Sequence, residues 1–346
     1  MFFIHQSACI SPQKTFRLPL FDEIVVYYQN QLLAIEPKYE SIPPAYIRRM
    51  GKALRMGVGC GMSLLKNFQV DGILVGTANG GIEDSIQFLH QIEEYKEGRL
   101  TPTHFVQSTY NAIAGTLAQL TQNKGYNATH VHRGAAFENV VLDTILQLRE
   151  QPAHQYLIGA VDELSQRNSR MESLAGWYKK ELTPSDKMFN TISEGVIPGE
   201  GAAMFIVNNR AEGARAKLIA NKFFFAHRCE EVLENLYNFL SMQGTDLKDI
   251  DGLLSGYNAD WRFLSFYESI ENLFAHSSII RFKKFFGDFP TVSALAVWLA
   301  VELLHVQPIP SMFLERNATA HRLSRILIYN NYRGEQHSFF IIESAI

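Results

Sequence analysis

Short apolar runs of strand length alternate along this chain with longer amphipathic ones. The strand-like runs are Ile73–Gly76, Ala128–Val131, Tyr156–Ala160, Ala202–Val207, Lys217–Phe225, Gly252–Ser255, Arg325–Tyr329 and Ser338–Ile342. The helix-like runs are Pro44–Asn67, Glu83–Tyr95, Tyr110–Gln122, Ala135–Glu150, Glu230–Met242, Phe263–Phe274 and Thr291–His305. Such alternation predicts parallel strands whose sheet faces are covered by helices. Within Ala135–Glu150, Val140, Val141, Ile145 and Leu148 recur at near-helical spacing. The order is doubled: each half has two or three strand–helix alternations and closes on a pair of adjacent strands. NNRAEGA, Asn209–Ala214 and its neighbours, marks the expected boundary between a half at 1–210 and a half at 211–346, packed as one globule. No close sequence repeat accompanies it, so the expected duplication is one of architecture.

Composition narrows the class. The 346 residues suffice for one large domain or two joined ones without covalent staples. Lys+Arg 32 against Asp+Glu 35 leaves a net charge of −3, which announces no broad basic surface for nucleic acid. Cys9, Cys60 and Cys229 lie far apart and in no CxxC spacing, which argues against a disulfide framework or a zinc site and fits a reducing compartment. MFFIHQSACISPQ lacks the basic and long apolar regions of a signal peptide. The longest apolar stretch, Ala294–Val301, is too short to span a bilayer. A soluble, cytoplasmic α/β protein is the expectation.

Four segments carry candidate chemistry. GTANGG, Gly76–Gly81, follows a strand and precedes a helix, but its spacing is not that of a dinucleotide fingerprint. It reads as a tight turn, with Thr77 and Asn79 able to line a pocket. In VIPGEGAAMFIV, Val196–Val207, the glycines allow close backbone packing, and Glu200 reads as a residue that orders loops by hydrogen bonding. In YNATHVHRGAAFENVVLDTI a strand gives way to a helix near Gly134, and free N–H groups there can meet an anion. His132 and Arg133 stand beside that turn and could meet a carboxylate or phosphate. In RFKKFFGDFPTVSALAVWLAVELL, Lys283 and Lys284 precede Gly287-Asp288 and a very apolar helix; on its own this pair reads as a solvated basic turn.

Taken in order along nearly the whole chain, these segments resemble the β-ketoacyl synthases of the thiolase-like superfamily. ISP at Ile10–Pro12 resembles the family's opening strand and turn, and GTANGG its first glycine turn. FVQSTYNAIAGTLA at Phe105–Ala118 resembles the segment that precedes the nucleophile. LIGAVDE at Leu157–Glu163 resembles the Ala-Gly-Gly-x-Glu strand end, and VIPGEGAAMFIV the Gly-Glu-Gly-Ala strand. QPIPSMF at Gln307–Phe313 and YNNYRGEQHSFFII at Tyr329–Ile342 take the places of the Pro-Pro-Thr loop and the final Gly-Phe-Gly-Gly-x-Asn loop. The resemblance implies a duplicated α/β fold in five layers, helix–sheet–helix–sheet–helix, and a homo- or heterodimer.

The resemblance also assigns reactive positions, and this chain departs from most of them. The nucleophilic cysteine falls on Gly134, which cannot form an acyl thioester. The first catalytic histidine falls at Ser255 or Gly256 in LLSGYNAD, and the second on Asp288. The family's lysine is kept as Lys283. Arg333 takes the place of the aromatic gate, and His337 that of the loop asparagine. Standard condensation needs a thiolate to take up the acyl chain and imidazoles to assist decarboxylation and stabilise an enolate oxyanion. Asp288 would add negative charge where the reaction builds more. Cys9, Cys60 and Cys229 read as small buried hydrophobes rather than displaced nucleophiles.

QSTYNAIAG and NATHVHRGAAFENVVLD are similar to synthase-like proteins of bacterial aryl polyene and flexirubin-type pigment clusters. There an active synthase pairs with a degenerate homologue, a chain-length factor. Such a factor often carries Gln at the cysteine position, where Gly134 stands here. The chain is shorter than usual synthases, so missing cap or loop segments are expected. The leading expectation is a partner subunit of an active ketosynthase, with Phe105–Ala118 and the strand before Gly134 near the dimer interface. His132, Arg133 and Phe137 would border the vestigial pocket. Two alternatives stay open. One is a working synthase or malonyl decarboxylase in which Lys283 holds a carboxylate and His132 or His337 replaces the missing imidazole. The other is a non-catalytic binder of acyl groups or carrier protein. The resemblance implies no metal or organic cofactor; its ligand is the phosphopantetheine arm of an acyl carrier protein.

Overall fold

The computed structural model describes residues 1–96, 98, 100, 102–316 and 322–345. Among them ten strands form one connected sheet: β1 (Phe2–Ile10), β2 (Gly72–Thr77), β3 (Tyr126–Val131), β4 (Gln155–Asp162), β5 (Gly201–Asn208), β6 (Ala216–Phe225), β7 (Gly252–Ser255), β8 (Ser278–Arg281), β9 (Arg325–Tyr332) and β10 (Gln336–Ser344). Their order is β3-β2-β4-β5-β1-β6-β10-β9-β7-β8. Read inward from either end, each set of five runs third, second, fourth, fifth, first. The outer pairs of each set are parallel and the inner pairs antiparallel. The sets meet through a short antiparallel contact, Phe2↔Leu218 to Ile4↔Ala216.

Eleven helices lie among the described residues: α1 (Pro44–Ile47), α2 (Lys52–Leu65), α3 (Ile82–Tyr95), α4 (Pro102–Gln107), α5 (Ala112–Thr121), α6 (Ala136–Glu150), α7 (Gln166–Leu174), α8 (Cys229–Met242), α9 (Leu264–Leu273), α10 (Lys283–Phe286) and α11 (Val292–His305). Three hydrophobic clusters define the layers. One joins α6 and α11 to the inner faces of both halves of the sheet. A second packs α2 and α5 on the outer face of the first set. A third packs α8 and α9 on the outer face of the second. The five expected layers are therefore present. All of Val292–Leu304 is buried, as an apolar-all-round helix in a central layer must be.

Local chemistry explains how β1 serves two clusters. A bulge between Ile4 and Gln6 shifts its register. Phe2 and Ile4 before it, and Cys9 after it, face the central layer, whereas Ala8 and Ile10 face the outer one. One extra residue reverses which side chains point inward. Each of the eight predicted strand runs falls in a strand. The predicted helix Pro44–Asn67 is split into α1 and α2, because the chain turns at Gly51, where a Cβ would stand 2.3 Å from Asp84 Oδ2. No helix among the described residues is long and apolar enough to cross a membrane.

Candidate functional site

The turn that ends β3 delivers the chain to the N-terminus of α6. A short 3-10 turn, Arg133–Ala135, brings Gly134 into the interior, where the β9–β10 hairpin closes over it. Gly134 N–H donates to Gln336 Oε1 at 3.0 Å. A Cβ on Gly134 would stand 2.5 Å from Tyr332 Cβ and 2.9 Å from its Cγ. The space a nucleophilic side chain would use is occupied by tyrosine, and the backbone donor beside it is already engaged. The hairpin that does this turns at Arg333 and Gly334, both at positive φ.

Next to this seal lies a buried ion pair. Lys283 Nζ donates to Asp288 Oδ2 at 3.0 Å, to Asn331 O at 3.1 Å and to Tyr267 OH at 3.4 Å. Asn258 Nδ2 donates to the same Asp288 oxygen at 2.9 Å. Burial pulls the lysine below its usual range, and Asp288 opposes that shift. All three ammonium protons are used, so Lys283 has none left for a substrate carboxylate. The aspartate neutralises the cation that the resemblance preserves.

Asp288 forms part of a cleft bordered by Asn79, Glu163, Asn168, Glu172, Trp177, Tyr178, Asn258, Phe263, Tyr332 and Arg333. Its cavity volume is about 60 Å³, space for a few waters and too little for a long acyl chain. The Arg333 guanidinium crosses the mouth to pair with Glu172 and lies 4.3 Å from the Trp177 ring centroid. Arg262, held by Asp260, covers the same indole at 5.0 Å. Deeper in, Asp162 accepts from Thr77 Oγ1, Ala78 N, Asn79 N and Thr291 Oγ1, which ties the glycine turn to the start of α11. Glu163 accepts from Ala53 N, and burial with neighbouring Asp84, Glu200 and Glu83 pushes its carboxyl up to about 7.

The structure brings Gly134, Lys283, Asp288 and Arg333 together and separates the other candidates from them. His132 and Arg133 do not border the cleft. Both are exposed, and His132 packs against Phe223 at 5.6 Å and bonds Asn139. Phe137 is a core residue between Phe205 and Phe340. Ser255 and Gly256 are buried behind the cleft, with Asn258 reaching it instead. His337 faces away, stacked on Phe224 and bonded to Tyr329 OH and Ala226 O, and burial pulls it down to about 4. Neither His132 nor His337, the two imidazoles proposed as replacements, stands beside Lys283. Lys283 is wholly buried rather than part of a solvated turn, while Lys284 pairs with Glu315.

Glu200 has the ordering role its sequence setting predicts: it accepts from Ala34 N and Leu164 N and pairs with Lys52. Cys9 and Cys60 are buried and free, and desolvation raises both thiols. Tyr332, Gln336, Asn258, Glu172 and Trp177 are site residues that sequence reasoning missed. The adjacency of Tyr332 to Arg333 was the one signal available. Among the described residues no group of three or more His, Cys, Asp or Glu is arranged to hold a metal ion.

Residues 28–168 match the family model for the N-terminal domain of beta-ketoacyl synthases. A beta-ketoacyl synthase from Burkholderia phymatum STM815 is similar in structure, with TM-score 0.81 and 15% identity over 99% of this chain and 99% of that one. The ishigamide ketosynthase/chain length factor gives 0.80 at 13% identity, over 99% and 98%. A chain of the complex of a ketosynthase with its chain length factor from Xenorhabdus doucetiae gives 0.74 at 11% identity, over 99% and 98%. No curated protein matches the sequence. Identities this low speak to the fold and leave chemistry to the site. The chain therefore has the fold of these ketosynthase and chain-length-factor structures, and its residues 28–168 match the N-terminal domain of beta-ketoacyl synthases.

Proposed function

We propose that the chain is a non-condensing partner subunit of an active ketosynthase, acting as a chain-length factor in fatty-acid or polyketide assembly of the aryl polyene type. The observation that carries this reading is the sealed centre: Tyr332 fills the side-chain space of Gly134, and Asp288 neutralises Lys283. A centre without a thiol, with its lysine internally paired, has no means of holding an acyl group through a condensation. Two structural neighbours are a ketosynthase/chain length factor and a ketosynthase in complex with its chain length factor, which supports a synthase as partner. A third is a polyketide-synthase acyl carrier protein in complex with its ketosynthase, which supports an acyl carrier protein as a partner; in this reading its phosphopantetheine arm is the ligand. In this reading the protein works in the cytoplasm and needs no metal or organic cofactor.

In this reading the partner docks along the edge of β3. β3 ends the sheet, so one row of its backbone groups is unpaired. Tyr126 and Val131 on it, and Leu142 and Leu146 on α6 beside it, are exposed. An unpaired edge flanked by apolar side chains suits another chain of the same fold. Co-expression with a ketosynthase from the same source tests the function. A stable complex whose products change in length when this chain is omitted supports it; a synthase that neither co-purifies nor changes its products contradicts it.

A further inference from the structure

We propose that Glu138 is a proton-operated wedge between α6 and β10, which sets how firmly the β9–β10 hairpin seals the Gly134 turn. The inference is independent of the proposed function. α6 lies on the inward residues of β10 in register. Gln336 meets Gly134, Ser338 faces Glu138, and Phe340 stacks on Phe137. Glu138 thus occupies the middle of the contact whose upper end is the seal.

Its setting is unlike that of the other acids among the described residues. Glu138 is 1% exposed, no partner meets strict hydrogen-bond geometry at either carboxyl oxygen, and the hydroxyls of Ser293 and Ser338 are the side chains close enough to ease its charge. Ser293 of α11 and Ser338 of β10 are the polar groups that face it, and Ser293 Oγ is itself unpartnered. From β6, Asn221 bonds its backbone carbonyl. Leu74 of β2, Ile158 of β4 and Phe205 of β5 add only apolar surface to this layer. Desolvation dominates, and no ionisable side chain is among the causes that move its carboxyl up to about 7. The neutral acid can donate one hydrogen bond in this space. The carboxylate puts a charge with no cationic partner into a dry layer, and in this proposal the contact with β10 parts to relieve it.

The experiment is amide hydrogen exchange at Gly134 in the full-length chain, selectively labelled with 15N-glycine, between pH 6 and pH 8.5. Rates are corrected for the intrinsic base-catalysed rise. Glu138 passes from about one-tenth ionised to almost fully ionised over this range, so protection of Gly134 should fall roughly tenfold. In Glu138→Gln it should stay flat. Flat protection in the wild-type chain overturns the proposal, as does an equal fall in the variant. If Glu138→Gln does not fold, Glu138→Met replaces it. If neither folds, the wild-type carboxyl carbon of Glu138 is titrated: an inflection that coincides with the loss of protection supports the wedge, and one at a different pH overturns it.

Discussion

Replacing Asp288 by alanine should destabilise this protein more than almost any other single change near the cleft. Lys283 is 0% exposed, and Asp288 is the anion that compensates it, at 3.0 Å. With the carboxylate gone, the ammonium keeps only Asn331 O at 3.1 Å and Tyr267 OH at 3.4 Å, neither charged. Breaking one side of a buried pair typically costs about 3–5 kcal/mol, because the other charge is left uncompensated. Removing both partners behaves differently. A Lys283→Met, Asp288→Leu double variant loses the attraction and both desolvation penalties together, and should fall within about 1 kcal/mol of wild type. The assay is urea unfolding followed by far-UV circular dichroism, with wild type, Asp288→Ala, Lys283→Met, Asp288→Leu and the double variant compared at one pH and protein concentration. A coupling of at least about 2 kcal/mol between the two sites is expected. If Asp288→Ala costs less than about 1 kcal/mol, or if the double variant is as unstable as the single one, the buried pair is not what holds these residues in place.

Further outcomes follow from the same geometry. Gly134→Cys alone should cost about 1–3 kcal/mol from overpacking against Tyr332 and should take up no acyl group; adding Tyr332→Gly should recover most of that stability, as read by thermal unfolding. Glu138 and Glu163 have folded-state carboxyls raised to about 7 from 4.5. Their contribution is therefore fully present below about pH 4.5 and lost as pH rises through 7, by roughly 3 kcal/mol each. Urea unfolding at pH 5.5 and 8.5 should show about 2 kcal/mol of that loss for each, and Glu163→Gln should remove its share. Val131→Lys with Leu142→Lys, both on exposed positions, should leave unfolding within about 0.5 kcal/mol yet weaken ketosynthase capture at least about tenfold, as measured by calorimetry.

Much of the scaffold was legible because it rests on local patterns. The sequence predicted a very apolar helix over Thr291–His305, and α11 is that helix, buried on all sides in the central layer. The glycines flanking Glu200 predicted a packed strand start with an ordering carboxylate, and two loops and the start of α2 converge on it. β8 escaped because SIIR is four residues long and has only two consecutive apolar residues, Ile279 and Ile280, between polar neighbours. The site was harder to see. Gly134 was legible as a missing nucleophile, but not as a filled one, since Gln336 and Tyr332 reach it only through the hairpin, and Gln336 is 202 positions away. His337 was placed on the wrong side of its strand. Alternation puts Gln336, Ser338 and Phe340 inward, so His337 and Phe339 join the outer layer, as the contacts with Phe224 show. His132 looked close to Gly134 in sequence, yet the turn at Arg133, with φ 45°, carries its side chain out to the surface.

Whether this chain can hold an acyl group at all is best decided by intact-protein mass. The purified chain is incubated with acyl-loaded and malonyl-loaded carrier protein, then weighed. An unchanged mass is expected, because the space at Gly134 is filled and no cysteine reaches the cleft. An added acyl mass, mapped by fragmentation to one residue of this chain, would contradict the sealed centre and show that the nucleophile has moved.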